Sequence, residues 1–134
     1  MYKISKEQMQ ALDGSIEKWD QICNQNGIDN GRNDCSLCQI DNTNRRCEQC
    51  IIYLDTGGRF CEKSPYEAWV DHHTQFHPNY MITRVRKSCE CPECYILANE
   101  EYEYLKDLKT RCVVAWWKTY TNPIMAFIYN IIYI

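Results

Sequence analysis

The residues best equipped for chemistry are cysteines: Cys35-Ser-Leu-Cys38, then eight residues, then Cys47-Glu-Gln-Cys50. Two Cys-x-x-Cys knuckles at this separation can aim four thiolates at one tetrahedral centre. Zinc suits such a set because it has no redox chemistry and takes sulfur ligands at about 2.3 Å. A four-thiolate site has no open position for water or substrate, so it builds structure rather than performing a reaction. The expected metal ligands are therefore Cys35, Cys38, Cys47 and Cys50, with Zn2+ as the ion. Cys61 stands near enough in sequence to replace one of them. It reads equally well as a small buried hydrophobe, and spacing alone leaves that choice open.

A second group, Cys89, Cys91 and Cys94, offers three more thiols. Cys112 lies too many helical turns beyond Cys94 to join them along a straight helix. His73 or His77 is the easier fourth partner, and the plainer alternative is an unoccupied, solvent-facing cluster. Val70-Asp71-His72-His73 admits a sharper reading. HNH nucleases are similar in setting an Asp-His pair between Cys-x-x-Cys knuckles, with Asn79 here available as a further match. That match fails because no histidine follows Cys94 and because Asp71 and His72 fall in mid-helix. Such a nuclease needs its histidine to activate water beside a hydrated metal. The basic residues Arg45-Arg46 and Arg84-Val-Arg86-Lys87 are the candidates for phosphate contact. Asp41, Glu48 and Asp55 offset the first pair, and short charge runs usually form solvated faces. No Gly-rich phosphate loop and no nucleophile–base pair stands out.

These side chains must be held by a chain that spacing predicts to be mainly helical. Ser5 and Gln8 form a capping box ahead of Met9, Leu12, Ile16, Trp19 and Cys23, an apolar stripe that should end at a left-handed cap near Gly27. The plainer role of Trp19 is core packing. Residues 27–63 are rich in Gly, Asn, Asp and Cys, and read as turns and short strands. Ile51-Ile52-Tyr53-Leu54 is the most strand-like run within them. Ser64-Pro65-Tyr66-Glu67 starts a second helix with Tyr66, Trp69, Val70, His73 and either Phe76 or His77 on one face, ended by Pro78. A third helix opens at Cys89–Cys94. It carries Ala98, Tyr102, Leu105, Leu108, Cys112 and Trp116 at helical spacing, until Asn122-Pro123 breaks it. The expected architecture is three amphipathic helices around a small irregular or β zinc-knuckle segment. Residues 1–111 would form the domain and residues 112–134 an apolar aromatic extension.

Composition narrows the functional classes. A net charge of −3 with scattered basic residues gives no field that draws the whole chain toward nucleic acid or acidic membranes. Ten cysteines in 134 residues suggest either disulfides or metal. The polar N-terminus lacks a signal-peptide core, which favours metal in a reducing, cytoplasmic setting. The tail is interrupted by Lys118, Asn122, Pro123 and Asn130, so burial or partner binding is expected rather than a membrane span. Trp116, Trp117, Tyr120, Phe127 and Tyr129 are the kind of side chain that anchors a protein partner.

The run Trp19, Asp34-Cys-Ser-Leu-Cys38-Gln39, Cys47-Glu-Gln-Cys50, Cys61 and Ser64-Pro-Tyr-Glu-Ala-Trp69 resembles a group of small cysteine-rich bacterial and phage proteins of unknown function. Their pattern runs Lys-Trp, Cys-Pro-Leu-Cys, Cys-x-x-Cys-Pro, Cys and Thr-Pro-Tyr. Ser36 and Ile51 replace prolines of that pattern, and Ser64 replaces its threonine. The likeness covers about residues 10 to 108 and implies a zinc-binding helical module, with no activity to carry over. The resulting expectation is a zinc-stabilised module that binds another protein. The alternative is an HNH-like nuclease or a nucleic-acid-binding zinc protein.

Overall fold

The computed structural model describes residues 1–40, 50–77 and 85–115. They form a mainly helical fold in which three long helices carry the core. A short strand, β1 (Tyr2–Ile4), leads into α1 (Lys6–Asn24) through the expected capping box. Ser5 Oγ accepts from the Gln8 N–H at 3.1 Å, and the Ser5 N–H donates to Gln8 Oε1 at 2.8 Å. The buried line of α1 is Gln8, Ala11, Leu12, Ser15, Trp19 and Ile22, so the stripe is rotated toward smaller residues than its largest apolar side chains suggested. Met9, Ile16 and Cys23 flank the core rather than filling it. The left-handed residue beyond α1 is Asn26 (φ 55°) and not Gly27. Gly27 follows it and donates its N–H back to the Gln21 carbonyl at 2.9 Å, the same oxygen that accepts from the Gln25 N–H, and this closes the helix end.

The cysteine-rich middle is built from helical turns where strands were expected. After β2 (Ile28–Asp29) come a 3-10 turn (Gly31–Asp34), α2 (Ser36–Ile40) and α3 (Ile51–Thr56). The run Ile51-Ile52-Tyr53-Leu54 is thus a helix. Cys50 precedes it with extended backbone, its carbonyl accepts from the Leu54 N–H, and Gly57 ends it at φ 75°. A short apolar run has no periodicity to separate a strand from a buried helical turn, and burial of Ile51 and Ile52 decided between them.

A further 3-10 turn (Arg59–Cys61) leads to α4 (Pro65–Phe76). Ser64 caps α4 as expected, accepting from the Tyr66 N–H at 3.3 Å. Glu67 reaches back one residue further than a capping box does and accepts from the Lys63 N–H at 3.2 Å. Trp69 and His73 are wholly buried, whereas Phe76 is 61 % exposed. Pro78, expected to end this helix, lies outside the described residues. β3 (Arg86–Lys87) pairs antiparallel with β2, and the 3-10 turn Ser88–Glu90 delivers the chain to α5 (Pro92–Thr110).

The third long helix ends sooner than its apolar spacing suggested. α5 stops at Thr110, and β4 (Cys112–Val114) runs parallel to β1, pairing Tyr2 with Cys112 and Ile4 with Val114. Ala115 is buried and donates its N–H to the Ile4 carbonyl at 2.8 Å. Two consecutive valines resist a further helical turn, and the open edge of β1 offers them a partner. The first residues of the anticipated C-terminal extension are therefore part of the fold, while Trp116 and the remaining aromatic anchors lie outside the described residues.

α1 packs along α5, α4 packs on α5 from another side, and α2 closes against α1. The centre is an aromatic cluster in which Trp19 meets the edges of Trp69 at 5.2 Å and Tyr66 at 5.9 Å. Beside it sits Asp29, fully buried. It accepts from Lys18 Nζ (2.7 Å), the Gly31 N–H (2.9 Å), Trp69 Nε1 (2.9 Å) and the Tyr66 hydroxyl (3.0 Å), with Arg86 at 3.3 Å. Burial alone would raise the Asp29 pKa, but Lys18, Trp69 and the Gly31 N–H outweigh it and hold it below the usual range. No described helix is long and apolar enough to cross a membrane.

Candidate metal centre

Four side chains converge where the end of α4 meets the start of α5: His72, His77, Cys91 and Cys94. One ligand atom from each lies within 4.8 Å of all the others. His72 Nε2 is 3.2 Å from Cys91 Sγ, His77 Nε2 is 3.3 Å from it, and Cys94 Sγ is 3.4 Å away. Ligand bonds of about 2.3 Å to sulfur and 2.0–2.1 Å to nitrogen in a tetrahedron set the ligand atoms about 3.3–3.8 Å apart. The cluster is therefore close to the size of a cation with this ligand set.

Each ligand has a local reason for its position. Cys91 has extended backbone and directly precedes α5, Pro92 occupies the first helical turn, and Cys94 follows within that turn. The Cys94 and Tyr95 N–H groups both donate to the Cys91 carbonyl, at 3.1 and 3.4 Å. On the other side, His72 projects from the body of α4, whereas His77 is its terminal cap with non-helical backbone (φ −133°, ψ 63°). Leaving the helix lets the His77 ring return to 5.2 Å from that of His72.

The surroundings orient the donors. Glu90 Oε2 lies 3.1 Å from His77 Nδ1, which directs the other ring nitrogen at the cluster. A carboxylate behind a ligating histidine fixes its tautomer and raises its basicity. His73, equally near, is committed elsewhere. Its ring nitrogens lie 2.9 and 3.0 Å from the carbonyl oxygens of Trp69 and Lys87, so it packs beside Cys94 Sγ at 3.6 Å as a wall. Burial pushes Cys91 up, but the Cys94 N–H, His77 and the Cys94 side chain bring it below the ordinary thiol range. Cys94 is pushed up to about 12, first by burial and then by Cys91. Such a pair favours one thiolate when bare, and a cation is what would draw the proton from the second.

Sequence reasoning placed Cys91 and Cys94 together and offered His73 or His77 as a partner, of which His77 is in the cluster. It also grouped Cys89 with them, yet Cys89 is exposed and outside the cluster. His72 was read as a solvated or nuclease-like residue, and the structure puts it among the four. Cys112 is buried on β4, away from the cluster. Of the first expected metal set, Cys35, Cys38 and Cys50 line one cavity, and Cys47 lies outside the described residues. None of the described cysteines forms a disulfide.

Searches against protein-family models, curated proteins and solved structures find no match to this chain.

Proposed function

We propose that this chain is a metal-stapled helical module that binds another protein, with a zinc ion held by His72, His77, Cys91 and Cys94. The observation that carries the reading is that four protein donors, two imidazole and two thiol, already stand within 4.8 Å of one another. Two sulfurs and two nitrogens in a tetrahedron are the ligand class that suits zinc. With four protein ligands no coordination position is left for water or substrate, so the ion ties α4 to α5 rather than catalysing a reaction. A protein partner is supported by apolar side chains flanking the centre. Phe76 lies against the His72 ring at 5.1 Å, and Tyr95 and Ile96, each 49 % exposed, directly follow Cys94. Balanced charge supports protein over nucleic acid as the partner.

The nuclease alternative would need His72 beside a metal with an open position, whereas in this reading His72 is itself a ligand. The test combines three measurements on the full chain. Zinc should be present after purification without added metal, and chelation should abolish α4–α5 helicity by circular dichroism. Plasmid DNA with magnesium or manganese should remain intact. Phe76→Asp and Ile96→Asp should retain zinc and melting temperature while losing a purified binding partner. A fold indifferent to chelation would overturn the staple. DNA cleavage that disappears in Asp71→Ala would overturn the binding role in favour of hydrolysis.

A further inference from the structure

A cavity of about 130 Å3 lies among α1, α2, α3, α5 and the two 3-10 turns Gly31–Asp34 and Arg59–Cys61, and Cys35, Cys38, Cys50 and Cys61 all line it. Three separate stretches of backbone bring them there. Cys35 precedes α2, and its sulfur lies 3.4 Å from the donating N–H of Cys38. Cys50 is the buried cap residue of α3, and Cys61 ends the second 3-10 turn. We propose that Cys35, Cys38, Cys50 and Cys61 form a second, four-thiolate centre for a divalent thiophilic cation, zinc by its ligand class. In this assignment Cys61, rather than Cys47, completes the set.

The backbone at Cys61 supports the choice. Its φ is 61°, in the left-handed region where glycine sits freely and a Cβ crowds the following carbonyl oxygen. The surrounding turn enforces that conformation. A Cβ on Gly58 would come within 2.4 Å of the Glu62 carbonyl oxygen, and Ser64 Oγ donates to the Cys61 carbonyl at 2.7 Å. Lys63 shares that conformation two residues on (φ 66°), so the turn as a whole holds Cys61 against the cavity.

The cavity wall supplies two further signs of an occupant. Ser15 Oγ and Glu101 Oε2, on residues 4 % and 2 % exposed, line it with no hydrogen-bond partner. Buried polar atoms in this state are rare unless something else fills the space between them. Charge agrees as well. Four thiolates around a divalent cation leave a net charge of −2, and Arg32 lines the same cavity beside Lys18, which is itself paired with Asp29 and Asp34. Binding would release the thiol protons to solvent. The two centres share no residue.

The full chain, expressed with zinc and weighed intact by native mass spectrometry, should carry two ions. Cys61→Ser should carry one, Cys47→Ser two, and the His77→Ala/Cys94→Ser double variant one. Two ions in Cys61→Ser, or one in Cys47→Ser, would overturn the assignment. Should Cys61→Ser fail to fold, the chain loaded with 113Cd decides instead. Wild type and Cys47→Ser should each show one all-sulfur resonance and one mixed sulfur–nitrogen resonance. A mixed resonance alone would overturn this centre and leave the His72/Cys91 centre standing; an all-sulfur resonance alone would do the reverse.

Discussion

His72 and His77 are five residues apart, which on a continuous helix separates them by about 140° around the axis. Only because α4 ends at Phe76 can both imidazoles serve one site. The sequence did hold a signal for the pair, since His-x4-His with Cys-x-x-Cys matches the ligand spacing of Cys2His2 zinc sites. Helix-face reasoning obscured it by assigning His73, the buried neighbour, to the shared face. Glu90 acts through His77, and Glu90→Gln should weaken metal affinity about 10–100-fold while leaving helicity intact, as read by competition with a chromophoric chelator. Asp29 shows the same dependence of one side chain on its surroundings. Asp29→Ala leaves Lys18 and Arg86 without their buried counter-charge and should cost about 3–5 kcal/mol in urea unfolding. Its role was illegible in sequence, where an aspartate among Gly and Asn reads as a turn.

At the scale of elements, caps were the most legible feature. Ser5 with Gln8 and Ser64 with Pro65 start α1 and α4 as their local chemistry dictates, because a cap bonds only to its own first turn. Ser5→Ala breaks one half of the α1 capping box and should lower stability by about 1 kcal/mol in chemical denaturation, with α5 unaffected. Element ends fixed by distant partners were not legible. α5 gives way to β4 because β1 receives it, a contact more than a hundred residues away in sequence. α3 is helical because Ile51 and Ile52 are buried together, which no local pattern distinguishes from a strand.

For the molecule as a whole, one clamp gathers the remote segments. Asp55 on α3 accepts from Tyr2 on β1, from Tyr104 on α5 and from Arg111 at the α5 end. Arg111 first, with Tyr104 and Tyr2, outweighs burial and holds the Asp55 carboxyl down at about 2 against an ordinary 3.8. Between those values the unfolded chain binds a proton that the folded chain does not, so stability rises with pH. The clamp should be complete above about pH 4 and be lost as pH falls toward 2. Asp55→Asn should flatten that part of an acid-unfolding series measured in urea. What the sequence determined by itself was helix, cap and donor chemistry: amphipathic spacing, capping side chains and sulfur-rich knuckles act through neighbours in the chain. Which donors meet was decided by tertiary structure alone. His72 joins Cys91, and Cys61 lines one cavity with Cys35, because packing on α5 and a left-handed turn bring separate segments together, and sequence spacing does not encode that closure.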